Sequence, residues 1–176
     1  ELQNEAELAA VLGHEITHAT ARHGAKAIER QTLLSAGLLA ANVALSTTHP
    51  DNRLENTAIL ASAAVASQLV NSKYGRSAEL EADAYGMEYM VKAGYEPMAA
   101  VSLQETFVKL SEKKSPGWLT GLFASHPPST TRVQANLLRA QKMPNNLQLG
   151  TRRYQQKIAR LKQQMPAYDA YNRGLA

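Results

Sequence analysis

The sequence contains no cysteine, so it can form neither a disulfide framework nor a thiolate metal site. Any metal ion that it binds must therefore be held by His, Asp or Glu side chains. Phe and Trp are scarce, with two Phe and one Trp, so the core must be mainly aliphatic. With 44% apolar residues in 176 positions, the chain is still long and apolar enough to bury a core.

Long hydrophobic runs are also missing, and none approaches the roughly 20 residues that a membrane-spanning helix needs. The longest candidates are LLSAGLLAANVAL and AILASAAVASQLV, which we expect to form buried helices. No signal-peptide pattern opens the chain, and its first residue is Glu1 rather than Met. We therefore expect the chain to be part of a longer protein.

Acidic residues are nearly absent from the last part of the chain. Residues 127–176 hold nine Lys and Arg against the single acid Asp169, whereas residues 1–126 hold ten against 14 acids. One interpretation is a basic segment that binds anionic lipid or nucleic acid. The other is a solvated helix face that packs against the acidic part of the chain. Tyr154 is the only aromatic among these basic residues before Tyr168, so base stacking has little support. We favour the solvated face and expect no nucleic-acid partner, while membrane-surface association stays open.

Helical periodicity dominates the chain, and a composition rich in Ala and Leu favours helices over sheets. We find no convincing strand, so the predicted fold class is mainly α. The segment KKSPGWLTGLFASHPPS is predicted to be an irregular loop, and Pro166 is predicted to end the last helix. The predicted helices cover residues 4–23, 25–45, 57–93, 97–113, 128–142 and 151–164.

The segment VLGHEITHATARH, residues 11–23, carries two histidines four residues apart. On a helix His14 and His18 lie on one face and can share one metal ion. Glu15 lies about 100° round the helix, where it can take a proton from a metal-bound water. This is the HExxH arrangement of two imidazole ligands and a general base. The alternative is a pair of solvent-facing histidines on a surface helix.

A catalytic zinc with an open position needs a third protein ligand. The metzincin pattern fails, because Ala21 and Gly24 stand where its Gly and third His would be. His23 comes five residues after His18, which rotates it well away from the pair on a continuous helix. We interpret His23 as a structural or surface histidine.

The segment YGRSAELEADAYG offers a carboxylate for the third position. Glu79 has Asp83 one turn later on the same face, whereas Glu81 points to the other side. Asp83 can accept the free ring N–H of a metal-bound histidine and so fix its tautomer. The alternative is an exposed acidic helix face. The pairing of HExxH with E-x-x-x-D favours the metal site.

Three segments, NEAELAAVLGHEITHATARH, RSAELEADAYGMEYMVKAGYEP and SHPPSTTRV, follow one another between residues 4 and 134. With them the chain resembles the HtpX and CAAX-prenyl-protease family of zinc metallopeptidases (metallopeptidase family forty-eight), which are gluzincins. The resemblance implies a zincin-type helical domain with one Zn²⁺ per chain. It implies these roles: ligands His14, His18 and Glu79, catalytic base Glu15, and supporting carboxylate Asp83.

The short, non-spanning helices at 25–70 resemble the soluble, BepA-like periplasmic branch of that family. This resemblance implies polypeptide substrates, namely misfolded or misassembled envelope proteins, and a periplasmic or outer-membrane-associated location. We expect residues 1–165 to form the catalytic domain and the tail 166–176 to begin a tetratricopeptide-type region. Family members usually carry a Gly-rich β-hairpin before the HExxH helix, and we expect this hairpin to be missing from the chain.

The predicted reaction is peptide hydrolysis by a metal-activated water, with Glu15 moving the proton. The tetrahedral oxyanion needs a donor, and the candidates are His126, Tyr74 and Arg132. His126 could instead be a fourth zinc ligand that holds the enzyme latent, or an ordinary loop histidine. Two other functions remain open: a zinc-stabilised non-catalytic chaperone or binding module, and a membrane- or nucleic-acid-binding helical protein.

Overall fold

A computed structural model of the chain describes residues 2–49, 51–112 and 117–174, without the side chains of 72–74, 117–120 and 172. Within these ranges it contains helices and no strand, which confirms the mainly-α prediction. The helices are α1 (Glu5–Thr20), α2 (His23–Thr48), α3 (Arg53–Lys92), α4 (Met98–Ser111), α5 (Gly117–Ser125), α6 (Thr130–Ala140) and α7 (Thr151–Gly174).

The chain divides into two compact units. The first unit comprises residues 1–15 and 83–176, and the second comprises residues 16–82. Helices α1 and α3 each run from one unit into the other along the chain.

The core of the first unit consists of small and flexible aliphatic side chains, as the shortage of Phe and Trp predicted. Helix α4 packs against α6, and the half-buried Phe107 and Val133 line the edge of this core. Gly94 ends the helical stretch before α4 with a φ of 85°, and Pro97 caps α4. The buried apolar residues are Ala6, Ala10, Met87, Met90, Ala99, Ala100, Val101, Leu103 and Ala140.

The second unit contains an antiparallel helical hairpin of α2 and the first half of α3. Near its base Arg30 donates to Asn71 at 3.2 Å, and near its tip Asn56 donates to the carbonyl of His49 at 2.8 Å. The half-buried apolar residues of α2 recur at spacings of three and four, as in a packed helix pair. They are Leu34, Leu38, Ala41 and Leu45.

The prediction that both 13-residue apolar runs are buried helices is wrong. Helix α2 has no fully buried residue, and Leu33 and Leu39 are 67% and 65% exposed. Two helices side by side bury only the stripe along which they face each other, so the remaining apolar side chains of the hairpin stay exposed. Among the described residues, no helix has both the length and the apolar character to cross a bilayer.

Two predicted boundaries in the last third of the chain are also wrong. The predicted loop contains α5, because Phe123 packs on Phe107 of α4 with ring centroids 5.7 Å apart, and this packing outweighs the local Gly signals. Helix α7 continues through Pro166 to Gly174. Proline removes one backbone hydrogen bond there, but it does not end the helix.

Candidate metal centre

His14 is anchored by a buried carboxylate. Its Nδ1 lies 2.9 Å from Oδ1 of Asp83, and both residues are buried. An ionised carboxylate only accepts hydrogen bonds, so the imidazole proton belongs on Nδ1. Nε2 then carries the lone pair with which a histidine binds a metal ion.

Arg132 of α6 holds the same carboxylate from the other side. Its Nε and Nη2 donate to the two oxygens of Asp83, each at 2.7 Å, and its Nη1 donates to the carbonyl of Pro127 at 3.2 Å. Burial alone would raise the pKa of Asp83, but the hydrogen bonds and charges of Arg132 and His14 outweigh it and lower that pKa. Asp83 is thus kept ionised and ready to accept from His14.

Helix α6 is positioned to bring Arg132 to this point. Ser129 caps its first turn, with the hydroxyl accepting from the backbone N–H of Arg132 at 3.2 Å. Arg132 is 5% exposed. The sequence predicts Arg132 as a candidate oxyanion contact, whereas in the structure its guanidinium donates to Asp83 and to the carbonyl of Pro127.

His126 directly follows α5 and reaches both His14 and Glu15. Its Nδ1 lies 3.3 Å from Nε2 of His14, and its Nε2 lies 3.7 Å from a carboxylate oxygen of Glu15. The rings of His126 and His14 meet edge to face, with centroids 5.3 Å apart. The predicted base and the predicted loop histidine therefore stand together beside a predicted ligand.

An apolar pocket opens beside these groups. His14, Glu15 and His126 lie on its wall together with aliphatic and aromatic side chains. Gln104 also lines it, and the side-chain oxygen of Gln104 is buried without a hydrogen-bond partner among the described residues. The apolar lining consists of Ala10, Val11, Met87, Ala100, Leu103, Phe107 and Leu122.

In the second unit, His18 pairs with Glu79. Nε2 of His18 lies 3.1 Å from Oε1 of Glu79, whose side chain is 9% exposed. Helix α1 carries His18 one turn after His14, and helix α3 carries Glu79 one turn before Asp83. The groups able to ligate a metal ion are the imidazoles of His14 and His126 in the first unit, and the imidazole of His18 with the carboxylate of Glu79 in the second.

His23 does not lie where a continuous helix would place it. Helix α1 ends at Thr20, and Arg22 adopts a left-handed conformation with a φ of 56° before α2 begins at His23. This break brings Nδ1 of His23 to 2.9 Å from Nδ1 of His18. The prediction that His23 is rotated away from His18 holds only for an unbroken helix over 4–23, and it is wrong.

Oε2 of Glu81 lies 3.4 Å from Nε2 of His23. The side chain of Tyr74, the remaining candidate oxyanion donor, lies outside the described residues.

Comparison with known proteins places the chain among metalloproteases. The family described as Peptidase family M48 matches residues 1–140. A putative beta-barrel assembly-enhancing protease of Vibrio cholerae is 30% identical over 150 residues, which cover 81% of this chain and 29% of that protein. The metalloprotease YcaL of Escherichia coli is 31% identical over 134 residues, which cover 76% of this chain and 49% of that protein.

A plant protein is similar to the same extent. The mitochondrial metalloendopeptidase OMA1 of Arabidopsis thaliana is 30% identical over 140 residues, covering 77% of this chain and 26% of that protein. The chain therefore spans half or less of the length of these curated relatives. No solved structure matches the chain.

Proposed function

The chain belongs to peptidase family M48, and we propose that it is the catalytic part of a zinc-dependent endopeptidase. The observation that carries this proposal is the anchoring of His14 by Asp83 at 2.9 Å, one helical turn from the pair formed by His18 and Glu79. Support of this kind, in which a carboxylate holds the ring N–H of a histidine, is typical of zinc ligands.

The proposed ligands are His14, His18 and Glu79. Two imidazole nitrogens and one carboxylate oxygen suit Zn²⁺ and leave one coordination position for water or substrate. The chain has no cysteine with which a softer site could be built. Zinc, when bound, would supply a more acidic water and polarise the scissile carbonyl.

Glu15 is the proposed general base. Its side chain is 49% exposed, so the carboxylate is open to solvent and substrate while its neighbour His14 is buried. It would take the proton of the attacking water and pass it to the leaving amine.

His126 is the proposed partner of the oxyanion. Its Nε2 lies on the Glu15 side of the pocket, and an imidazole N–H there can donate to an oxygen that gains negative charge. Arg132 is a weaker candidate, because its guanidinium nitrogens bind Asp83 and Pro127 in a buried position. The apolar wall of the same pocket would receive an apolar substrate side chain.

The proposed substrates are misfolded or misassembled proteins of a bacterial envelope, in the periplasm or at the outer membrane. This part of the proposal rests on the similarity to the putative beta-barrel assembly-enhancing protease of Vibrio cholerae. We further propose that residues 1–165 form the catalytic domain and that residues 166–176 lead into a tetratricopeptide-type region. Contact of the whole protein with the membrane surface belongs to the same proposal.

Zinc content and casein digestion, measured on the wild-type chain and Glu15→Gln, test the proposed function. We expect about one zinc per chain in both proteins and digestion by the wild type alone. Zinc in both proteins without digestion by either would instead indicate a zinc-stabilised binding module. A chain that retains no zinc would contradict both.

A further inference from the structure

The imidazole of His23 contacts that of His18, the second proposed histidine ligand. His18 presents Nε2 to Glu79 at 3.1 Å and Nδ1 to Nδ1 of His23 at 2.9 Å, with the two rings edge to face and their centroids 4.8 Å apart. We propose that His23 and Glu81 are positioning residues that hold His18 for metal binding. This proposal rests on the proposed function, because it needs His18 to be a ligand.

Hydrogen-bond chemistry assigns the protons along this chain of groups. If Nε2 of His18 binds the metal, the proton of its neutral ring is on Nδ1 and is donated to Nδ1 of His23. His23 must then accept with Nδ1 and carry its own proton on Nε2. Nε2 lies 3.4 Å from Oε2 of Glu81, a carboxylate that can only accept. Glu81 thus selects the tautomer of His23, and His23 selects the tautomer of His18.

The burial of His23 favours one orientation of its ring. The side chain of His23 is 8% exposed, whereas that of Glu81 is 47% exposed. A buried imidazole needs partners on both nitrogens, since an unpaired buried polar atom is costly. Turning the His23 ring would break two contacts at once, so the observed orientation is the one that the surroundings favour.

The backbone conformation between His18 and His23 allows their imidazoles to make contact. Helix α1 ends at Thr20, and Arg22 adopts a φ of 56°. This left-handed region is unfavourable for residues other than Gly. Without this break His23 would lie more than a third of a turn away from His18 around the helix. The strained residue therefore accompanies a functional contact.

In each of the two proposed histidine ligands, Nδ1 donates to a hydrogen-bond acceptor, but the acceptor is different. Asp83 accepts directly from Nδ1 of His14 at 2.9 Å. For His18, an imidazole stands between the ligand and the carboxylate. Support of this kind commonly changes metal affinity by roughly 10- to 100-fold when it is removed.

Metal affinity, measured by competition with a chelator at fixed pH, tests the proposal without relying on activity. His23→Leu removes the acceptor and should weaken zinc binding by about 10- to 100-fold. His23→Asn returns an oxygen acceptor close to the Nδ1 position and should recover most of that loss. Glu81→Gln should weaken binding by a smaller factor, and should have no further effect when combined with His23→Leu.

Glu88→Gln is the matched control, because Glu88 lies on the same helix and its side chain is 48% exposed. It should bind zinc like the wild type. The melting temperature of each metal-free variant and the visible spectrum of its cobalt derivative are recorded as well. A merely structural role for His23 would lower the metal-free melting temperature while leaving metal affinity and the cobalt spectrum unchanged.

The outcomes separate this proposal from the proposed function. If the wild type binds zinc and digests casein while His23→Leu and Glu81→Gln bind zinc equally well, only the positioning role is wrong. If the wild type binds no zinc, both proposals are wrong. Should His23→Leu fail to fold, the exposed substitution Glu81→Gln and the milder His23→Asn still decide the question.

Discussion

Gly13 of α1 and Gly86 of α3 touch backbone to backbone. A Cβ on Gly13 would lie 2.6 Å from the carbonyl oxygen of Gly86, and a Cβ on Gly86 would lie 2.8 Å from the backbone nitrogen of His14. Both distances are shorter than carbon contacts in folded proteins allow. Because His14 directly follows Gly13, and Asp83 lies less than one turn before Gly86, this approach sets the distance between His14 and its supporting carboxylate.

Gly13→Ala is therefore expected to force the two helices apart. Overpacking of this kind costs about 1–3 kcal/mol, more than the roughly 1 kcal/mol that Ala gains over Gly in a helix. We expect a lower free energy of unfolding and weaker zinc binding, since His14 moves away from Asp83. Gly37→Ala is the control, because Gly37 lies within α2 with no other atom within 4 Å of the added Cβ. It should leave stability equal or slightly higher. Equal stability of both variants would contradict the proposed role of the glycine contact.

The sequence predicts those parts of the centre that lie within one helix. His14, Glu15 and His18 are separated by fixed rotations on α1, and Glu79 and Asp83 by one turn on α3, so a linear pattern carries their geometry. Contacts between these residues and distant parts of the chain leave no such spacing pattern in the sequence. Arg132 lies 49 residues from Asp83, and its pairing becomes visible only in three dimensions.

His23 was missed for a different reason. The sequence assumption was a continuous helix, and a single residue, Arg22, breaks it in a conformation that no propensity scale would assign to arginine. The exposed hairpin was missed because an apolar run indicates burial only when enough neighbouring surface exists to cover it. Both errors concern tertiary context, which outweighs local preference.

Glu15→Gln should keep the fold and the zinc but abolish proteolysis, because an amide cannot accept the proton of the attacking water. Casein digestion, zinc content and melting temperature are measured on the same preparation. Zinc content and melting temperature should match those of the wild type. Turnover close to that of the wild type would exclude Glu15 as the general base.

Glu79→Ala should abolish zinc retention through gel filtration, because it removes a ligand, whereas Glu81→Ala should retain the metal with an affinity lowered by about tenfold at most. The two glutamates lie on the same helix two residues apart, so each serves as the control for the other. Equal losses from the two substitutions would mean that the ligand has been assigned to the wrong glutamate.

Asp83→Asn should lower metal affinity or turnover by roughly 10- to 100-fold, because the amide is a poorer acceptor for the ring N–H of His14. It should also lower stability, since the buried guanidinium of Arg132 loses its counter-charge; removing one partner of a buried pair costs about 3–5 kcal/mol. Asp169→Asn, at an exposed position of α7, is the control and should change neither quantity. Unchanged metal retention and turnover in Asp83→Asn would reduce Asp83 to a structural acid.

His126→Ala distinguishes the three roles that were open for this histidine. The ring lies 3.3 Å from Nε2 of His14 and 3.7 Å from Glu15, so it is close enough to act on the metal or on the substrate. As a fourth ligand it would occupy the water position and hold the enzyme latent, because a site closed by four protein ligands is structural in character. As an N–H donor it would stabilise the oxyanion.

Nε2 of His126 lies 3.7 Å from the carboxylate of the proposed base Glu15, and both residues line the apolar pocket. An N–H at that nitrogen can reach a substrate oxygen beside Glu15, which is why we assign the donor role to His126. We therefore expect His126→Ala to lower turnover by about 10²- to 10³-fold with zinc retained, as loss of one oxyanion donor does. Casein digestion and chelator competition measure the two quantities side by side. Higher basal proteolysis with weaker zinc binding would instead identify His126 as an inhibitory ligand. No change in either quantity would leave it a loop histidine that packs beside the site.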